Sequence, residues 1–370
     1  MPFADVYRAK RVLVTGHTGF KGSWLCEWLL ALGAEVTGYS LPPPTSPSLF
    51  VQLGLEGRIR HFEGDVRDLA NLSQIIREVK PDFVFHLAAQ AIVRTSYTLP
   101  VETYAINVMG TVNVLEAIRS VGSPCVVVAI TTDKCYENRE WVHSYREEDP
   151  LGGYDPYSSS KGAAELVISA YRRSFFSTPG FPVRLASARA GNVIGGGDWA
   201  SDRIVPDCIR SLQCNEAIPV RNRMATRPWQ HVLEPLSGYL WLGACLFKAQ
   251  SSKSTAQLSS AFNFGPPLAS NRTVGELVQE ILQHWPGHWE DRSKPEAVHE
   301  ARLLNLATDK AHHLLKWQPT WDFAAAIAET TRWYRDIYLK TATAPEITRL
   351  QIEGYSKSGI AQGMQWAGGI

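Results

Sequence analysis

The sequence predicts an α/β protein, with a doubly wound parallel sheet in its first half and a smaller C-terminal α/β lobe. Three observations predict it. Over roughly residues 1–190, apolar runs too continuous for half-exposed strands alternate with helical patterns. The first such run leads into a glycine-rich turn that opens a helix. After Arg189 the alternation breaks into loops and shorter, mixed elements.

Lys10–Thr15 reads as the first buried strand, followed by Gly16-His-Thr18-Gly19-Phe20-Lys-Gly22 and an amphipathic helix from Ser23. Strand, glycine turn and helix together make a phosphate-binding arrangement of the Rossmann type, because a helix N-terminus presents unpaired N–H groups to an anion. Gly16 permits the tight turn, Gly19 lets the backbone approach a pyrophosphate, and Gly22 lets the helix pack on the strand. Thr18 and Phe20 share that turn and belong to the expected cofactor contact.

Glu35–Tyr39 is the second strand. It ends at Ser40, where an acid would hold a ribose hydroxyl and an arginine a 2′-phosphate. Ser40 can bond a hydroxyl and no arginine is near, which favours NAD over NADP. Ile59–Asp65 is the third strand. Asp65 reads equally well as an adenine contact, beside Val66, or as the cap of a helix over Leu69–Val79. The fourth, Asp82–Ala88, ends in Leu87, Ala88 and Ala89, small enough at Ala88 and Ala89 for a dinucleotide to lie on the backbone.

A long helical run, Pro100–Val121, carries Asn107. The fifth strand, Cys125–Ile130, delivers Thr132, Asp133 and Lys134 at its carboxyl end, where open parallel sheets collect their catalytic groups. The helix over Asp155–Phe176 places Tyr157 and Lys161 four apart, on one face. A phenol titrates near ~10, so it needs a neighbouring cation to act as a base near neutrality; Lys161 is expected to lower it. Pro182–Ala188 is the sixth strand.

The second lobe opens with the loop Gly191–Trp199, and loops set on a rigid sheet tend to carry binding residues. Asn192, Trp199 and Arg203 are expected to face a substrate, as are Arg94 and Ser96 on the other side. Arg221, Arg223 and Arg227 lie within seven residues, with His231 close behind. Arginine forks match phosphate oxygens, so this cluster suits a pyrophosphate-bearing ligand. Helices are expected near Glu234–Ala249, Thr273–Trp285 and Trp321–Lys340. The stretch after Thr341 lacks clear periodicity and is expected to pack loosely. The expected division is 1–190 for the sheet, 191–345 for the lobe (some elements returning to the sheet) and 346–370 for a tail.

Composition narrows the class. The chain has 370 residues, 45% hydrophobic and 20% charged, with a formal net charge of +1. No basic stripe marks a nucleic-acid partner, and no apolar run marks a membrane span or an export signal. Six cysteines lie scattered without a CxxC pair, which suggests free thiols in a reducing cytoplasm and neither disulfides nor a metal.

Gly16-x-x-Gly19-x-x-Gly22, Thr132 and Tyr157-x-x-x-Lys161 together resemble the extended short-chain dehydrogenase/reductase family. The wording Gly16–Trp24, Thr132–Tyr136 and Gly191–Trp199 is similar to its NAD-dependent nucleotide-sugar 4,6-dehydratases. The resemblance implies oxidation at the sugar C4, loss of the C6 hydroxyl as water, and an NAD that is reduced and reoxidised in one turnover. It assigns the C4 proton to Tyr157, helped by Lys161 and Thr132, and the acid for the C6 oxygen to Asp133. Lys134 departs from the dTDP-glucose enzymes, which carry Glu there as the C5 base, and is shared with those acting on CDP-glucose. A lysine must be neutral to serve as that base; otherwise it orients Asp133. The family also implies a homodimer built on the helices near Pro100–Val121 and Asp155–Phe176. A nucleotide-sugar 4-epimerase, a uronic-acid decarboxylase and a non-catalytic NAD-binding module remain as other readings.

Overall fold

The computed structural model describes residues 2–293 and 304–368. Seven strands form one parallel sheet: β1 Arg11–Thr15, β2 Glu35–Ser40, β3 Arg60–Glu63, β4 Phe83–His86, β5 Cys125–Ile130, β6 Val183–Ala190 and β7 Ala261–Phe264. Their order across the sheet is β7-β6-β5-β4-β1-β2-β3, so the direction of winding reverses between β1 and β4. Such a reversal leaves a crevice beyond the strands' carboxyl ends, where ligands bind in open sheets. The first six strands lie where the alternation of apolar runs places them. The seventh comes from the second half of the chain and pairs with β6, Ala261 beside Ser187.

The helices that matter for the crevice are α1 Phe20–Ala31, α2 Leu69–Val79, α3 Gly110–Val121, α4 Pro156–Tyr171, α5 Ile204–Gln213, α6 Leu233–Lys248, α7 Val274–His284, α8 Phe323–Tyr338 and α9 Ala344–Ala361. α2 and α3 cover one face of the sheet, closing a core of Leu72, Ile76, Val84, Leu115 and Val127. α1 and α6 cover the other, where Trp24, Leu25, Phe85, Val128, Leu236 and Leu240 meet. β1, β4 and β5 are buried on both faces, which is why their sequences lack polar alternation.

The end of the chain corrects the expectation of loose packing. α9 is an 18-residue helix opened by a Thr343–Glu346 capping box. It buries Ile347, Ile352 and Tyr355, and the Tyr355 ring stacks on Trp366 at 5.2 Å. Trp366 in turn stacks on Phe3 at 5.5 Å. Arg349 reaches Glu27 of α1 at 2.8 Å, and Arg58 meets the same buried carboxylate at 2.6 Å. The apolar positions of α9 are separated by Gln351 and Thr348, which are themselves buried, so a hydropathy pattern misses the helix's inner face.

Candidate functional site

The site is assembled at the carboxyl ends of β1, β4 and β5. Gly16 leaves β1 with φ +75°, and a Cβ there would lie 2.7 Å from the Ala88 nitrogen. A Cβ on Gly22 would sit 2.2 Å from the Gly16 carbonyl oxygen, so α1 packs this close to the turn only with glycine at that position. At Gly19, the N-cap of α1, an added Cβ would approach only the Gly16 carbonyl oxygen, at 3.4 Å, and no side chain caps the helix. The first N–H groups of a 12-residue helix thus face an open cradle. These residues fit a dinucleotide pyrophosphate.

Around the cradle, Thr18 Oγ lies 2.9 Å from Ser40 Oγ, and Ala88 N donates to Thr15 Oγ at 3.3 Å. The Leu87–Ala89 backbone therefore lies against the turn. Asn107 accepts from Gln90 N at 2.9 Å and donates to Ser160 Oγ at 2.8 Å, tying the loop after β4 to the catalytic helix. Val66 packs where a Cβ on Gly110 would meet it, at 2.7 Å. Asp65 is engaged by Arg67, and the cap of α2 is Asp68, whose side chain accepts from Asn71 N at 3.0 Å. Of the two roles open to Asp65, capping is thus filled by a neighbour.

Of the candidate catalytic residues, Thr132 and Asp133 follow β5, and Tyr157 and Lys161 lie four apart on α4. Asp155 caps α4 and accepts from Ser158 N at 3.0 Å, which fixes the turn that carries Tyr157. Thr132 caps the turn after β5 and donates to Asp133 Oδ1 at 2.9 Å. Thr132 also acts to lower the Tyr157 phenol. Asp133 and Tyr157 are both buried. Burial raises the Asp133 carboxyl above the ordinary carboxylate range, against the pull of Lys134, Thr132 and Arg227. That is the direction a proton donor needs. Gly191 makes room for it: a Cβ there would lie 2.7 Å from Asp133 Oδ2.

One electrostatic expectation is overturned. Burial pushes Tyr157 up to about 12, outweighing Thr132 and the Arg203 charge. Lys161 does not figure among the leading charges on it. Burial pushes Lys161 itself down to about 8, against the neighbouring Glu165. Desolvation, which the sequence spacing does not report, wins over proximity.

The expected substrate residues divide. Arg203 lies 2.8 Å from Asp198 and its charge bears on Tyr157, while the charge of Arg227 bears on Asp133. Asn192 follows Gly191 and is half-buried. Arg94 pairs with Asp202 at 3.0 Å on the rim. Trp199 donates to Gln52 at 2.9 Å and meets the Tyr334 ring edge-on. Three are placed differently from expectation. Ser96 is buried, its hydroxyl donating to the Val93 carbonyl at 2.6 Å. Arg223 lies 3.4 Å from Asp291 on an exposed edge. His231 is fully buried between Trp24 and Trp321, at ring distances of 5.7 and 5.0 Å, and burial pushes it down to about 3. An alternating polar residue after a strand gives no sign of facing inward when its partners come from α1 and the far end of the chain.

Four groups escaped the sequence reading. Glu165, one turn beyond Lys161, accepts from the Thr131 and Ser187 hydroxyls and pairs with Arg189 at 2.8 Å, all of it buried. Arg189 also donates to Tyr136 Oη at 2.8 Å, which donates to Asn263 of β7 at 2.7 Å. This network locks α4 to β5, β6 and β7 behind the catalytic turn. Lys21 donates to Tyr239 Oη at 3.4 Å. Lys21 stood within the glycine motif, where attention to the glycines passed over it.

Among the described residues no helix is long and apolar enough to cross a membrane. The sequence profile described as GDP-mannose 4,6 dehydratase matches residues 13–330. The chain is 48% identical over 338 residues, 90% of its length and 92% of the relative's, to a CDP-glucose 4,6-dehydratase of Salmonella typhimurium. It is 32% identical to a CDP-paratose 2-epimerase of Salmonella typhi, over 84% of this chain and 94% of that one. Among solved structures it is similar to a dTDP-glucose 4,6-dehydratase of Streptomyces venezuelae with NAD bound, at TM-score 0.73 and 26% identity, covering 88% of this chain and 97% of that one.

Proposed function

The chain belongs to the GDP-mannose 4,6-dehydratase family, and within it we propose that the protein is a CDP-glucose 4,6-dehydratase. It converts CDP-D-glucose to CDP-4-dehydro-6-deoxy-D-glucose and water, an early step towards deoxysugars. The cofactor is NAD, which takes a hydride from C4 and returns it to C6 within one turnover. The cradle of Gly16, Gly19 and the α1 N-terminus holds its pyrophosphate, and Ser40 and Asn107 stand at its edge.

The remaining chemistry falls to this chain's side chains. Tyr157, whose phenol Thr132 acts to lower, takes the proton of the C4 hydroxyl, with Lys161 on the same helix face. The C4 ketone acidifies C5–H. Asp133 gives its proton to the C6 oxygen as that bond breaks. Arg203 and Arg227 hold the substrate pyrophosphate beside these groups. The observation that carries dehydration is Asp133: a buried acid whose carboxyl burial raises, accepting a hydrogen bond from Thr132. A 4-epimerase has no use for it, and the UDP-glucose 4-epimerase of Lacticaseibacillus casei is only 25% identical to this chain. Incubation with CDP-, dTDP-, GDP- and UDP-glucose, read by mass, should show loss of one water from the CDP sugar first. Retention of every water with inversion at C4 would overturn the reading in favour of an epimerase.

The same reading makes the protein a cytoplasmic homodimer. Val101 is 81% exposed and Leu166 61%, on the adjoining Pro100–Tyr104 helix and α4, and Leu99, Met109 and Phe175 extend that apolar face. Such a face is suited to a four-helix pairing with a second copy.

A further inference from the structure

The loop that opens the second lobe is fastened in two directions. On one side Trp199 donates to Gln52 at 2.9 Å, the Asp198 carbonyl accepts from Tyr334 Oη at 2.6 Å, and Arg203 pairs with the Asp198 carboxylate at 2.8 Å. On the other, two arginines clasp Asp202 through a single carboxylate oxygen. Arg94 Nη1 lies 3.0 Å from Oδ1 and Arg221 Nη1 lies 2.8 Å from it. Arg221 reaches on to Asp207 of α5 at 3.4 Å, and Asp207 pairs with Arg210 on the next turn. Arg94 belongs to the helix Val93–Thr98, which packs on α4. Asp202 therefore joins the segments that leave β4 and β6, the strands on either side of β5. Thr132 and Asp133 follow β5 directly.

Asp202 has φ +63°, in the left-handed region that aspartate tolerates but that its surroundings must hold in place. Arg203 follows at once, as the N-cap of α5. All three side chains of the clasp are exposed, so each contact is weak by itself and adds little to folding. A weak clasp suits a loop that has to open for a ligand and close behind it. Resting on the dehydratase reading, which gives Arg203 to the substrate diphosphate, we propose that Asp202 is a positioning residue. Held by Arg94 and Arg221, it draws the loop towards the β4 side of the crevice and sets Arg203 for the diphosphate. Arg94 then acts through Asp202 and does not itself touch the substrate. Charge alone predicts the opposite sign. A carboxylate beside the path of a diphosphate repels it, and its removal would tighten binding.

The test compares the wild type, Asp202→Asn, Arg94→Gln and the double variant, each loaded with NAD. Initial rates with CDP-glucose give KM and kcat, and calorimetric titration with CDP reads binding without turnover. Asparagine keeps the size of the side chain and tolerates the same backbone, so Asp202→Asn removes the charge alone. It should raise KM and the CDP dissociation constant about three- to fivefold, the range open to an exposed clasp, with kcat held within about twofold. Arg94→Gln should raise both by no more than that. The double variant should match Asp202→Asn, because residues that act through one another do not add. Unchanged or tighter CDP binding in Asp202→Asn, or a fall in kcat at constant KM, would overturn the assignment. Losses that add in the double variant would also overturn it, and would make Arg94 a direct ligand of the substrate. A wild type that binds CDP but releases no water from CDP-glucose would overturn the dehydratase reading, while the titration would still decide the role of Asp202. A wild type that binds no CDP would overturn both.

Discussion

At the residue scale, the proposed mechanism separates two protons, one leaving the C4 hydroxyl and one reaching the C6 oxygen. Thr132 donates to Asp133 and favours the Tyr157 phenolate, so in the proposed mechanism one side chain bears on both groups assigned to C4 and C6. Tyr157→Phe removes one hydroxyl from a buried ring and should cut C4 oxidation about 10²–10⁴-fold while NAD still binds. Asp133→Asn keeps the shape but cannot release a proton. It should oxidise C4, accumulate NADH and give no dehydrated sugar, as absorbance and mass will report. Lys134→Met should misplace Asp133, slowing water loss while C5 exchange continues; exchange abolished there would make Lys134 the base. Tyr157 and Lys161 were legible from their spacing on one helix face, and Asp133 as an acid only from the family resemblance. Their protonation was not, because burial sets it and burial is a property of the whole fold.

At the element scale, α4 acts as a ruler. One face carries Tyr157 and Lys161, the pair proposed to meet the substrate, and Glu165, one turn on, pins the helix to Thr131, Ser187 and Arg189. Burial raises the Glu165 carboxyl, but Arg189 and the two hydroxyls outweigh it and hold it below the usual range. Glu165→Gln leaves the Arg189 charge buried without its partner, at a cost of about 3–5 kcal/mol measurable by denaturant unfolding. The variant should also lower Lys161 further, since Glu165 is the leading charge that supports its ammonium. The pH range over which C4 oxidation requires a charged Lys161 should contract from its alkaline end. An unchanged pH profile alongside lost stability would reduce the pair to a packing role. Within the sequence, Glu165 is one polar residue on an amphipathic helix; its partners lie 34, 22 and 24 positions away.

At the scale of the whole molecule, the C-terminal elements return to brace the first helix and α6. Glu234 of α6 accepts from the Thr320 and Trp321 backbone nitrogens at 2.9 and 2.6 Å and from Tyr355 Oη at 2.7 Å. Burial pushes its carboxyl from an ordinary 4.5 up to about 7, against those donors. A native state that holds this proton more tightly than the unfolded chain is most stable at low pH, as far as this group goes. Its contribution, roughly 3 kcal/mol, is lost as pH climbs from the unfolded value through the folded one and changes little beyond. Glu234→Gln should therefore lose less stability than the wild type between about pH 5 and pH 8. Parallel melting-temperature curves for the two proteins across that range would contradict this.

The sequence by itself determined the parallel sheet, the glycine cradle, the helix face with Tyr157 and Lys161, and the family. Each is a local pattern: a run of apolar residues, a fixed spacing, a backbone that tolerates no Cβ. A return to the sheet from the second lobe was expected; tertiary structure alone decided that the returning element is β7, beside β6, and that the final helix is pinned through Arg349 and Trp366. It also decided that His231 is core and that Lys21 meets Tyr239. Those outcomes depend on which distant segments meet, and on how much water they exclude when they do. A lysine between two motif glycines looks the same on paper whether it faces solvent or a buried tyrosine.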